Sequence, residues 1–180
     1  MAEKKYSIPL AAVIKETGLE IVYMPGNAEE RMVSSPDVNR PGLALSGYLD
    51  YFDNDRIQVI GRNEHGFLSS LPQDLRQSHV DELASTNPPA IIVTRDLPVL
   101  EELKEACQKH NVPLLKSKDS TSWLMAALVS FLNVELAPRI TRHGVLVEVY
   151  GEGVLLLGDS GIGKSETAIE LIKRGHRLIA

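Results

Sequence analysis

The sequence holds one cysteine, Cys107, so no internal disulfide can form. That cysteine lies in the amphipathic segment Val99 to Lys109, where burial as a small hydrophobe is expected rather than a reactive thiol. Dense runs of Lys and Arg are also missing. Nothing in the chain has the positive charge needed to neutralise many phosphates of a nucleic acid, so neither DNA nor RNA is an expected partner. The longest apolar run beside a helix, Trp123 to Val129, falls far short of the roughly 20 residues that span a bilayer, and no membrane partner is expected. The opening MAEKKYSIPL has no apolar core of a secretion signal, which makes a cytoplasmic location the expectation. Internal repeats and low-complexity segments are absent as well.

What is present is ordinary globular material. Of 180 residues, 43% are hydrophobic and 24% charged, enough for one large or two small domains. The formal net charge is -5. Between residues 131 and 180 the charges cancel, so the acidity lies entirely ahead of residue 131.

Ser7 followed by Ile8-Pro9 reads as a helix start, continued by Leu10 to Glu16 and stopped by Gly18. A strand at Leu19 to Tyr23 follows, then a long connection from Pro25 to Pro41 with a brief strand at Arg31 to Val33. Arg56 to Ile60 reads as a strand, Ser70 to Leu83 as a helix, and Ala90 to Val93 as a buried strand. Leu97 to His110 is expected as a helix and Val112 to Leu115 as a strand. Strands alternating with helices predict an α/β domain with a parallel-type sheet. Ser120 caps a helix from Trp123 to Leu136, with Trp123 expected as a core anchor. The boundary between domains falls near residues 133 to 142, dividing the chain into residues 1–135 and 136–180. Beyond it, Val145 to Tyr150 and Val154 to Leu157 predict an antiparallel hairpin turning at Gly151-Glu152-Gly153.

Chemistry is concentrated directly after that hairpin. Gly158-Asp159-Ser160-Gly161-Ile162-Gly163-Lys164-Ser165 matches the phosphate-loop pattern GxxxxGK[ST] at every fixed position. A strand precedes it, and the helical pattern Glu166 to Arg174 follows, as the motif demands. Glycines at 158, 161 and 163 let successive backbone N–H groups converge on one anion, and the helix start adds its positive dipole end. Lys164 is expected to reach the β- and γ-phosphates of ATP, and the Ser165 hydroxyl to ligate Mg²⁺. His143, at the start of the hairpin, is by itself more simply read as a solvated histidine. The acidic stretch Asp50 to Asp55 reads as a solvated turn, His65, His79, His110 and His176 lack metal-ligand spacing, and Arg40-Pro41-Gly42 is either an anion contact or a structural turn.

The run HGVLVEVYGEGVLLLGDSGIGKSETAIELIKRGHRLIA, residues 143–180, closely resembles the start of the catalytic domain of the HPr kinase/phosphorylase family. Asp37-Val38-Asn39-Arg40-Pro41-Gly42-Leu43, then Leu45-Ser46-Gly47-Tyr48 and Arg56 to Gly61, resemble the same family's N-terminal domain. The resemblance implies an N-terminal α/β domain followed by the beginning of a P-loop kinase domain, made of hairpin, loop, helix and strand. It further implies transfer of phosphate from ATP to a regulatory serine of HPr, the phosphocarrier of the sugar phosphotransferase system. The reverse reaction would consume inorganic phosphate and release pyrophosphate. Mg²⁺ use, a homo-hexamer and a role in carbon catabolite regulation are implied too.

Carried over by position, the family's nucleotide loop falls on Gly158 to Ser165, its catalytic lysine on Lys164, its metal-facing hydroxyl on Ser165 and its catalytic histidine on His143. In the family that histidine interacts with the carboxylate that acts as base toward the serine. The carboxylate belongs to an acidic pair following the segment matched by Leu178-Ile179-Ala180, where this sequence stops. A back region of under about forty residues rarely buries enough surface to fold alone. The expectation is therefore a fragment without kinase or phosphorylase activity. The alternative is another phosphate-loop kinase or ATPase with a ligand-sensing or oligomerising front domain.

Overall fold

The structure is a computed structural model and describes residues 6–139 and 141–180. Its chain separates into two compact units, one running to Ala137 and the other from Pro138.

The front unit is built on a five-stranded sheet. Its strands are β2 (Glu20–Tyr23), β4 (Val38–Asn39), β5 (Ile57–Ile60), β6 (Ile91–Val93) and β7 (Leu114–Lys116), in the order β2-β7-β6-β5-β4. The last four are mutually parallel and β2 pairs antiparallel with β7, so the sheet is mixed, with its parallel part dominant. Successive residues of a strand point to opposite faces, and both faces here are covered. Ile60, Ile91, Val93 and Leu114 pack under helices α2 (Arg62–Ser70), α3 (Gln73–Ser85) and α4 (Glu101–His110). Ile57, Val59, Ile92 and Leu115 pack under α1 (Leu10–Thr17) and α5 (Thr121–Glu135). Burial on both faces explains why β6 reads as an unbroken apolar run and why β5 is apolar except for the buried Gln58.

Several local expectations shift. Ile8–Pro9 is a short strand, β1, paired with β3 (Met32–Val33), and the first helix begins only at Leu10. Proline's fixed φ suits an extended residue at the N-cap as well as the first turn. The helix read over Ser70 to Leu83 is α3 and begins only at Gln73, because Leu71 is extended and Pro72 sits at the N-cap, while α2 upstream was not expected. The start of α2 is held by the Glu64 carboxylate, whose Oε2 accepts from the Gly61 amide at 3.0 Å, a cap supplied from inside the helix. Trp123 is not a core anchor: it is 57% exposed, because the buried stripe of α5 runs through Leu124, Leu128 and Leu132, one position round the helix. Ser120 does cap α5, accepting from the Trp123 amide at 3.3 Å. Cys107 is fully buried on α4 and burial pushes its thiol up to about 12.

The back unit has a three-stranded antiparallel sheet in the order β10-β8-β9, from β8 (Gly144–Val149), β9 (Glu152–Leu157) and β10 (Arg177–Leu178). The hairpin turns at Tyr150-Gly151, both with positive φ, rather than at residues 151–153. That geometry is the two-residue turn whose twist matches the flanking strands. Helix α6 (Lys164–Lys173) packs against β8 and β9. Among the described residues no helix is long and apolar enough to cross a membrane.

Candidate nucleotide-binding site

The segment Gly158 to Gly163 leaves β9 and enters α6 at Lys164. Gly163 is the N-cap of α6 with φ 96°, and Gly161 has φ 83°, conformations that L side chains rarely adopt. Gly158, with φ 152°, is a third position where the loop needs glycine. At Gly158 a β-carbon would come within 2.9 Å of Ile162 Cγ2, so the loop's first and fifth residues are in close approach. The Lys164 ammonium lies across the loop, donating to the carbonyl oxygens of Gly158 at 2.8 Å and Asp159 at 2.7 Å. Both acceptors are neutral, and an ammonium bonds an anionic oxygen more strongly than a carbonyl, because hydrogen bonds between charged groups are shorter and stronger.

Ser165 and Glu166 are exposed in the first turn of α6. The Thr167 hydroxyl and amide both donate to the Gly163 carbonyl at 2.9 Å. Sequence reasoning passed over Thr167, although a hydroxyl one turn into a helix can bond back to the i−4 carbonyl in this way. Asp159, Ser160 and Ile162 are exposed around the loop.

His143 is exposed and immediately precedes β8. The hairpin register pairs Gly144 with Leu157, so His143 and Gly158 are the next residues beyond the same end of the ladder. Strand pairing thus brings to one end of the hairpin two positions that stand 15 apart in sequence. Strand β10 runs antiparallel to β8 and heads toward that end, with the Leu146 amide donating to the Ala180 carbonyl at 2.7 Å.

Three of the four remaining histidines make contacts elsewhere. His65 Nε2 is 2.9 Å from the Pro98 carbonyl, His110 bonds Asp81 at 2.9 Å, and the His176 ring meets Tyr150 edge-on at 4.8 Å. Arg40 pairs with Glu64 at 2.9 Å. No group of three His, Cys, Asp or Glu side chains gathers into a metal cage among the described residues.

A glycine loop between a strand and a helix, with a lysine at the helix head, has the strand–loop–helix order that the phosphate-loop sequence pattern demands, and a second α/β unit precedes it in the chain. Residues 8–132 match the family described as HPr Serine kinase N terminus, and residues 134–180 match the HPr Serine kinase C-terminal domain. The chain belongs to the HPr serine kinase family. It is similar to an HPr kinase/phosphorylase of Lachnoclostridium phytofermentans, 44% identical over 97% of this chain and 56% of that protein. A counterpart from Caldicellulosiruptor bescii is 47% identical over 93% of this chain and 54% of its own length. One from Lactobacillus johnsonii is 42% identical over 97% and 55%. The chain therefore spans about half the length of the curated relatives it matches. Among solved structures, the CBS and DRTGG domains of a Clostridium perfringens pyrophosphatase regulatory region share the fold. That likeness has a TM-score of 0.51 at 13% identity, over 72% of this chain and 50% of that one.

Proposed function

We propose that this chain is the nucleotide-holding front of an ATP-dependent protein serine kinase that phosphorylates HPr and, in reverse, removes the phosphate with inorganic phosphate to give pyrophosphate. One observation carries the reading: the Lys164 ammonium and the glycine loop stand together at the head of α6, with the hairpin end bearing His143 beside them. In this reading the amides from Gly158 to Gly163, including those of Asp159, Ser160, Gly161 and Ile162, cradle the phosphates of ATP. Lys164 leaves its two carbonyls for the β- and γ-oxygens.

The residues present fit Mg²⁺. Ser165 offers one exposed hydroxyl on the first turn of α6. One protein oxygen suits a metal that takes most of its octahedral shell from phosphates and water. When bound, Mg²⁺ neutralises charge on the phosphates during transfer. His143 acts as a positioning partner for a carboxylate base, and β10 heads toward the place where that base is needed. Residues 1–135 stand outside the phosphoryl-transfer chemistry as a separate domain, and residues 136–180 begin the catalytic one. The homo-hexamer, the cytoplasmic location and the role in carbon catabolite regulation belong to the longer protein.

The test is phosphoryl transfer to the serine of purified HPr. A protein of the relatives' full length should form phosphoserine with Mg-ATP and release pyrophosphate when given phosphate, with both directions reduced by His143→Ala. The 180-residue chain should bind ATP without turnover. Turnover by that chain at the rate of the longer protein would overturn this division of labour.

A further inference from the structure

A cleft of about 250 Å³ opens in the front unit, lined in part by Asn39, Arg40, Tyr48, Tyr51, Phe52 and Arg56. It lies along the edge strand β4, between the residues that leave β4 and the loop that enters β5. Three of the chain's nine Phe, Trp and Tyr residues fall within positions 48–52, on the loop that the sequence alone reads as a solvated turn. Two of them are kept in water: Tyr51 is 88% exposed and Tyr48 48%. Their ring centroids are 6.5 Å apart. An aromatic-poor chain that spends two large rings on the rim of a cleft offers a stacking surface.

The walls are fixed from behind. Gln58 is fully buried; its Nε2 donates to the carbonyls of Asp53 at 3.2 Å and Arg56 at 2.8 Å, while its Oε1 accepts from Asn39 Nδ2 at 3.0 Å. This network ties the aromatic loop to β4 and β5, so the cleft is ordered before any ligand arrives. The two guanidiniums are oriented by carboxylates through Nη2 alone, Arg40 on Glu64 at 2.9 Å and Arg56 on Asp53 at 2.8 Å and Asp37 at 3.5 Å. Among the described residues their Nε and Nη1 donors have no bond partner, and a guanidinium with spare donors in a fixed fork suits a phosphate or carboxylate.

We infer that this cleft is a second ligand site, separate from the phosphate loop, for a single planar aromatic ring system carrying one anionic group, of the nucleoside monophosphate kind. Its volume is just under the range of about 300–1,000 Å³ usual for ligand pockets, which favours a mononucleotide over a dinucleotide. The ring stacks on Tyr51, with Tyr48 tilted 45° beside it as a side wall, and the anion bridges Arg40 and Arg56.

The probe is adenosine 5′-monophosphate, titrated into the 180-residue chain carrying Lys164→Ala so that the loop does not compete, with backbone amide NMR as the readout. Saturable shifts should centre on residues 39–56. Tyr51→Ala, a change at a ring that is almost wholly in solvent, should weaken binding about tenfold or more, and Tyr51→Phe should restore it. Adenosine and inorganic phosphate should each bind at least about tenfold more weakly than the monophosphate. Three outcomes would each overturn the inference: no saturable shift in this segment, affinity indifferent to Tyr51→Ala, or phosphate alone matching the nucleotide.

Discussion

The two units bury their apolar residues in opposite degrees. In the front unit β5 and β6 are covered on both faces, and Leu124, Leu128 and Leu132 of α5 are fully buried against them. In the back unit only Val147 and Ala168 are buried hydrophobics among the described residues, while Leu155, Leu157 and Ile169 are 45%, 56% and 52% exposed. A packed core therefore sets the geometry of the front, and local backbone chemistry sets that of the back: a two-residue turn, a glycine loop and a helix head. The residues proposed to carry phosphoryl transfer all sit in the unit with little core of its own.

Core truncation breaks or sharpens this contrast most strongly. Leu128→Ala should cost about 2–5 kcal/mol of front-unit stability in urea melts followed by residue-resolved NMR. Leu155→Ala, already half in solvent, should cost under about 1 kcal/mol. Comparable losses at both positions would erase the distinction.

A smaller effect is expected at Glu64. Burial pushes its carboxyl up, but the hydrogen bonds from Arg40 and the Gly61 amide prevail and hold it below the usual glutamate range. A carboxyl depressed in the folded state contributes stability that is fully present above its unfolded value, about 4.3, and lost as pH falls through the folded value. Glu64→Gln should therefore cost about 1–2 kcal/mol at pH 7, with the gap to the parent closing below about pH 4. A gap that stays unchanged however far the pH is lowered while the chain remains folded would assign the loss to packing instead. The smallest effect belongs to Trp123→Ser, within about 0.5 kcal/mol, since that ring is mostly in solvent.

Much of the architecture was legible because its signal is periodic or punctuated. Leu100, Leu103 and Cys107 mark α4, Ser120 marks the start of α5, and Ile57 to Ile60 and Ile91 to Val93 mark strands buried on both faces. What stayed hidden depends on partners distant in sequence or on single side chains. The two-residue strands β1 and β4 exist only through pairing with Met32–Val33 and Ile57–Gln58. Helix α2 buries only Glu64 and Leu68, carries Gly66 and begins at a glycine, so neither period nor cap announced it. Trp123 misled because a large ring at a helix start says nothing of which side the helix buries. At the candidate site the loop's residues followed from the motif, and the place of His143 beside them needed the hairpin register. The cleft at Tyr48 to Arg56 was invisible because its aromatics and aspartates read alike as a turn until Gln58 was seen to brace them.

The measurement that bears most directly on the account is calorimetric titration of Mg-ATP into the 180-residue chain and its Lys164→Ala variant. The expected result is one-to-one binding at the loop that weakens about ten- to a hundredfold when the ammonium is removed, the size of a lost hydrogen bond between charged groups. Absence of binding to a folded chain, or an affinity unmoved by Lys164→Ala, would contradict the central claim that the head of α6 holds the nucleotide.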